Sequence, residues 1–280
     1  MERLFAIIKM SRPLNCMITF FAILAACFIC GDIINDLQPA LIGGLAGLFT
    51  AAAGNLINDY YDVESDKLNH PFRILPLEIV SPQIALLFFF LFNIMAYGLS
   101  MFLGFYLFLI VLITSVLLYL YSSKFKSIPL VGNITVAFLT GLAFLFGSII
   151  VNNFFCGIFP AVFAFLINLM RELIKDIEDV EGDRVSGLST YPIQHGLIST
   201  VNLISLVGVA LIILTTIPFL LKIYSITYFI IIMPFVNTIL VYVIIRLHTS
   251  ALKYDLSLSS NLLKIAMIIG IIAILLGSKF

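Results

Sequence analysis

The stretch Asn58-Asp59-Tyr60-Tyr61-Asp62-Val63-Glu64-Ser65-Asp66 decides how this chain reads, together with a second run, Asp176-Ile177-Glu178-Asp179-Val180-Glu181-Gly182-Asp183. The 280 residues hold only 15 acidic side chains. Eleven of them, Asp59, Asp62, Glu64, Asp66, Glu78, Glu172, Asp176, Glu178, Asp179, Glu181 and Asp183, lie in or beside these two runs. Nearly everything around them is apolar. Hydrophobic residues make up 62% of the chain and charged ones 11%, with a mean hydropathy of +1.17, against roughly 45–50% apolar in an ordinary soluble domain. Carboxylates crowded at a bilayer surface repel one another, so a positive partner is expected to bind them.

Working outward from the acidic runs, apolar stretches long enough to cross about 30 Å of hydrocarbon recur along the chain. About nine are read, at roughly 13–31, 38–58, 82–102, 104–122, 129–151, 155–174, 198–220, 225–246 and 258–277, with the boundaries near 103 and 153 marked by almost no loop. The expected fold is therefore all-α, a polytopic membrane bundle forming one integral-membrane domain over residues 1–280. With the N-terminus inside, Arg3, Lys9, Arg12, Lys67, Arg73, Lys124, Lys126, Arg171, Lys175, Arg184, Arg246 and Lys253 fall on one face, and Lys222 and Lys279 on the other. Basic residues favour the cytoplasmic side, so both acidic runs, each after an even-numbered span, are expected to face the cytoplasm.

The apolar run after Arg12 is span-length and no clean small-residue cleavage site follows it, so it reads as the first span and not a cleaved signal. Cys16, Cys27, Cys30 and Cys156 lie in or at the ends of spans without metal-like spacing, and apolar packing is expected of them in place of a disulfide. The formal net charge of zero says nothing about partners. Nothing in the chain points to nucleic acid or to an obligate protein partner, and the bilayer is its one evident environment. The longest polar segments, about 59–81 and 175–197, are the functional loops by default. Gly and Pro enter each only after its acids, which places the acids on the last turns of the second and sixth spans.

Asn58, Asp62 and Asp66 are spaced four apart, which stacks them on one helical face; Asp179 and Asp183 repeat the spacing, with Asp176 three residues before. Carboxylate arrays of this kind suit a hard cation, and Mg²⁺ is typically held by one or two carboxylates completed by phosphate oxygens and water. Two arrays on one membrane face can grip a diphosphate through bridging metals and improve it as a leaving group. The bland alternative is a pair of solvated acidic helix ends. Two runs at the same spacing, after spans of the same parity, in a chain nearly free of other acids, weigh against it. So does the helix dipole, which favours cations at a C-terminus. A cation-coupled transporter would place its ionisable groups near the midplane, where this chain has almost none.

The pattern Asn58-Asp59-x-x-Asp62-x-x-x-Asp66 followed by Asp179-x-x-x-Asp183 resembles the UbiA-type intramembrane prenyltransferases, and the resemblance spans essentially the whole chain. It implies Mg²⁺-dependent transfer of a prenyl group from a prenyl diphosphate donor to an acceptor inside the bilayer. Three segments, Arg12-Pro13-Leu14-Asn15-Cys16, Pro129-Leu130-Val131-Gly132-Asn133 and Lys175 to Arg184, resemble the archaeal branch that makes digeranylgeranylglyceryl phosphate. That branch joins a geranylgeranyl group to the sn-2 hydroxyl of a lipid-phosphate acceptor, geranylgeranylglyceryl phosphate. An aromatic acceptor such as a quinone precursor is the alternative within the family. The chain departs from the family where Arg73 is followed by Ile74 and where Leu77-Glu78 replace a usual Ser-Gly.

The expected roles follow. Asn58, Asp62, Asp66, Asp179 and Asp183 are the metal and diphosphate clamp, with Asp59 and Asp176 as outer or alternate ligands. Arg73, Lys124, Lys126, Arg171 and Lys175 can contact phosphate oxygens, and the resemblance adds Tyr121 beside Lys126. Arg12 and Asn15 resemble acceptor-pocket residues. Gly43 and Gly47 read as a close helix contact.

Overall fold

The computed structural model describes residues 2–32, 34–69, 71–249 and 253–278. Lys279 and the side chains of Arg3 and Lys253, used above to orient the chain, lie outside the described residues. The chain is helical, with α1 (Glu2–Met10), α2 (Pro13–Cys30), α3 (Leu37–Asn69), α4 (Pro82–Leu103), α5 (Phe105–Ser123), α6 (Val131–Ile150), α7 (Ile158–Glu178), α8 (Val180–Val185), α9 (Tyr191–Leu220), α10 (Ile226–Ile231), α11 (Thr238–Thr249) and α12 (Lys253–Gly277). Among the described residues, nine helical stretches are long and apolar enough to cross a membrane. They match the expected spans one for one, and the protein is a multi-pass membrane protein.

Two compact units emerge from the packing, one of residues 1–126 and 143–157, the other of residues 127–142 and 158–280. In the first, α3 is the central rod, packed by α2, α4 and α5. Its 33 residues run for about 50 Å at 1.5 Å each, well beyond the hydrocarbon thickness. Helix α3 therefore carries the whole first acidic run as unbroken helix up to Asn69. Ala53, Leu56, Ile57, Ile74, Leu75 and Val80 are buried together at that end of the unit. Gly43 and Gly47 make the close contact expected of them: a Cβ on Gly43 would strike Ile150, and one on Gly47 would strike Ile23.

The expectation about the cysteines is half right. Cys16 and Cys27 are buried thiols, and Cys27 Sγ donates to the Gly147 carbonyl. Cys30 and Cys156, however, form a disulfide with Cα atoms 5.6 Å apart. They are 126 residues apart in sequence, and only the folded unit brings the end of α2 to the 3₁₀ turn Phe154–Gly157. Spacing along the chain carries no trace of that meeting. Asn153 fastens the same corner by donating from Nδ2 to the Cys30 carbonyl.

In the second unit α7 packs against α9 and α12, while α10 and α11 pack on α12. The span through α10 and α11 holds one π-helical turn, Ile232–Asn237, centred on Pro234, which has no N–H to give the ladder. The second acidic run departs from expectation. It is not simply the last turns of a helix: α7 ends at Glu178, Asp179 takes φ −99° and ψ 4°, and a new short helix starts at Val180. The Asp183 N–H still donates to the Asp179 carbonyl at 2.9 Å, so the four-residue spacing survives the break. Likewise α9 begins at Tyr191, but Gly196 at φ 81° interrupts it, leaving the continuous apolar helix to start near the expected 198.

Candidate active site

On α3 the four-residue spacing turns Asn58, Asp62 and Asp66 to one face, and the neighbouring Asp59 lies beside them. Asp59, Asp62 and Asp66 are buried, at 9%, 9% and 4% exposure. Desolvating three carboxylates this close is costly unless each is answered. The structure answers each with a base from a different element. Lys126, on the 3₁₀ turn after α5, donates to Asp62 Oδ2 at 2.6 Å, and Asn58 Nδ2 donates to the same oxygen at 2.9 Å. Arg73, in the turns after α3, lays one guanidinium nitrogen on both oxygens of Asp66, at 2.8 and 2.7 Å. Arg12 donates to Asp59 Oδ1 at 2.6 Å. The residue sits between α1 and α2 with φ 52°, a left-handed conformation one residue before Pro13, whose ring disfavours the right-handed helix there.

Three of the sequence-read bases, Arg12, Arg73 and Lys126, thus meet the first acidic run directly. Asn15 is exposed on the first turn of α2. Tyr121 is half-buried on the last turn of α5, and Lys124 is exposed just beyond that helix. Phe72, beside Arg73, is 87% exposed, an aromatic ring at the rim of this unit.

The second unit builds its acidic site differently. Asp176 is reached by Asn133 Nδ2, from the start of α6, at 2.8 Å. Asn133 carried no expected role; its one signal in the sequence was a place in the Pro129 to Asn133 segment. Asp179 is exposed at the helix break, and Asp183 lies half-buried on α8. Arg171 and Lys175 do not stand open on the helix surface: both donate to Glu172 Oε1, at 2.9 and 3.3 Å. Among the described residues no three His, Cys, Asp or Glu side chains form a closed metal cage. The donor set present is hard oxygen throughout, which is the chemistry a Mg²⁺ ion completed by phosphate and water requires.

Comparison with known proteins shows the family and the fold. The model of the UbiA prenyltransferase family matches residues 19–268. Proteins named digeranylgeranylglyceryl phosphate synthase are similar over nearly their full length: that of Methanopyrus kandleri is 32% identical, covering 96% of this chain and 98% of its own, and that of Methanosphaera stadtmanae is 34% identical, covering 97% and 98%. A solved structure concerned with digeranylgeranylglyceryl phosphate synthase superposes with a TM-score of 0.82 at 32% identity, covering 99% of both chains. The UbiA homologue of Aeropyrum pernix shares the fold at a TM-score of 0.77 and 16% identity, covering 93% of this chain and 98% of its own. The chain belongs to the UbiA prenyltransferase family, and it is a membrane-embedded prenyltransferase.

Proposed function

We propose that this enzyme transfers a geranylgeranyl group from geranylgeranyl diphosphate to the sn-2 hydroxyl of geranylgeranylglyceryl phosphate, with the whole chain acting as one catalytic domain. The observation that carries this reading is the likeness, at 32–34% identity over almost the entire length of both chains, to proteins named for that product. A UbiA homologue of Archaeoglobus fulgidus has been solved with geranyl diphosphate and Mg²⁺, and we assign the same kind of donor and cation here. Asp62, Asp66, Asp179 and Asp183 are the ligands we assign to Mg²⁺, with the Asn58 carbonyl oxygen beside them and Asp59 and Asp176 as outer or alternate ligands. When bound, the cation neutralises the departing diphosphate and makes it a better leaving group.

The paired bases then acquire a second task. Lys126 and Arg73 neutralise Asp62 and Asp66 in the protein as described, and both are long enough to turn to phosphate oxygens once a cation takes over the carboxylates. Exchange of partners keeps every buried charge answered at each stage. In the transfer, the allylic C1–O bond of the donor breaks, diphosphate leaves with the bonding pair, and the acceptor oxygen bonds to C1. The hydroxyl proton passes to the departing diphosphate as that bond forms. The bundle holds donor and acceptor together and keeps water from the electron-poor carbon. The motif face is assigned to the cytoplasm. The basic residues support this, as does the Cys30–Cys156 disulfide at the other end of α2 from Arg12, since disulfides persist where the medium is oxidising.

The test is direct. Purified enzyme, Mg²⁺ and geranylgeranyl diphosphate are incubated with geranylgeranylglyceryl phosphate or with aromatic acids, and products are read by mass spectrometry. The dialkylated glycerol phosphate is the expected product. Product from an aromatic acid alone would replace the acceptor assignment.

A further inference from the structure

Lys264 sits inside the last span, on the face of α12 with Asn261, to whose Oδ1 its ammonium donates at 3.1 Å. It is eleven residues from the start of α12, about 16 Å along the helix. A charge at that depth is costly in hydrocarbon and marks a functional site unless it is answered. Helix α12 packs on α7, and Lys264 lies within electrostatic reach of Arg171, Lys175 and Glu178. Three cations therefore share one region of the second unit. Glu172 answers Arg171 and Lys175 together, and Glu178 is the other carboxylate in reach. Three bases stand against these two carboxylates, and Asp176, the next acid on α7, is taken up by Asn133.

Two unused donors point into the same region. Asn168 is 5% exposed, and among the described residues its Nδ2 has no hydrogen-bond partner; neither has the buried Nε of Arg171. Three residues apart on α7, they lie on one face, and Lys175 continues it one turn nearer the acidic run. Buried donors left empty are unfavourable, so an acceptor-rich group belongs between them. Clustered positive charge and planar N–H donors are together the chemistry of a phosphate site.

We propose that Asn168, Arg171, Lys175 and Lys264 bind the phosphate monoester of the lipid acceptor, along the stretch of α7 that leads up to the second acidic run. The proposal rests on the acceptor assigned above. The donor diphosphate needs carboxylates and a cation around it; this cluster, with its excess of bases, takes an anion directly. Arg171 and Lys175 thereby move from donor to acceptor recognition.

Lys264→Gln is the first variant because its side chain is exposed and its loss disturbs little packing. Steady-state kinetics should show the acceptor KM raised about tenfold or more with the donor KM held within about twofold, and Lys264→Arg should recover most of the loss. The wild-type preference for geranylgeranylglyceryl phosphate over unphosphorylated geranylgeranylglycerol should narrow in parallel. A rise confined to the donor KM, or unchanged constants, overturns the proposal. Thermal-shift measurements in detergent with the same lipid phosphate, the uncharged lipid and inorganic phosphate read the site without turnover. Stabilisation of the wild type by the lipid phosphate alone, lost in Lys264→Gln, supports it even if glycerol acceptors prove not to react. Equal shifts in both proteins overturn it, and a shift from inorganic phosphate equal to that from the lipid overturns the lipid assignment.

Discussion

The two acidic runs look alike on paper and are held in opposite ways. On α3, each buried aspartate meets a base delivered from elsewhere in its unit: Arg12 to Asp59, Lys126 to Asp62 and Arg73 to Asp66. Around α7 and α8, Asp176 meets a neutral amide and Asp179 stands in solvent. The first run is a rigid, internally balanced array, and the second is set on a helix break. Charge balance built into the fold holds the first array in register before any ligand arrives. The second has more to gain from a cation, which offsets both the mutual repulsion of its acids and the unfavourable end of the α7 dipole.

The largest effect should come from removing one ligand of each array. Asp62→Ala and Asp183→Ala are each expected to lower turnover by at least about 10²–10³-fold, with size-exclusion profiles unchanged in detergent. Near-normal rates in both would sink the proposed assignment of these aspartates to Mg²⁺. Chelation with EDTA should stop turnover in the wild type and added Mg²⁺ should restore it, followed by product formation. The contrast between the runs is sharpened by Lys126→Met, which strands Asp62. After discounting for partial exposure it should cost about 1–3 kcal/mol of stability, read by thermal denaturation, and the donor KM should rise. Adding Asp62→Asn to that variant should return most of the stability but none of the activity. Asn133→Leu removes only a neutral donor from Asp176 and should cost about 1–3 kcal/mol; a loss larger than that of Lys126→Met would erase the distinction drawn here. Smallest for catalysis is reduction of Cys30–Cys156, expected to lower stability by about 2–4 kcal/mol with turnover in the reduced, folded enzyme unchanged.

Spans were legible in the sequence because hydrocarbon imposes its thickness on every crossing helix, and the family was legible because a four-residue spacing fixes a helical face. Partnerships were not. Arg12 and Asp59 are separated by 47 residues and Lys126 and Asp62 by 64, and such pairs are set by helix packing, to which local pattern is blind. The disulfide was missed for the same reason. The break at Asp179 has no breaker residue at its own position; Gly182 comes only later. Lys264 was overlooked because a single charge inside a long apolar run reads as an exception to a span, when its meaning lies in what faces it from α7.

The continuity of α3 also constrains how this protein can change over generations. Asn58, Asp62 and Asp66 share an unbroken helix with Gly43 and Gly47, whose neighbours Ile150 and Ile23 fix its rotation. Each residue inserted or deleted between Gly47 and Asn58 would turn the acids by about 100° relative to those contacts. Individual side chains along that stretch can drift while remaining apolar, but its length cannot. Among descendants of one ancestor, the interval from Gly47 to Asp66 should align without gaps even where few letters agree.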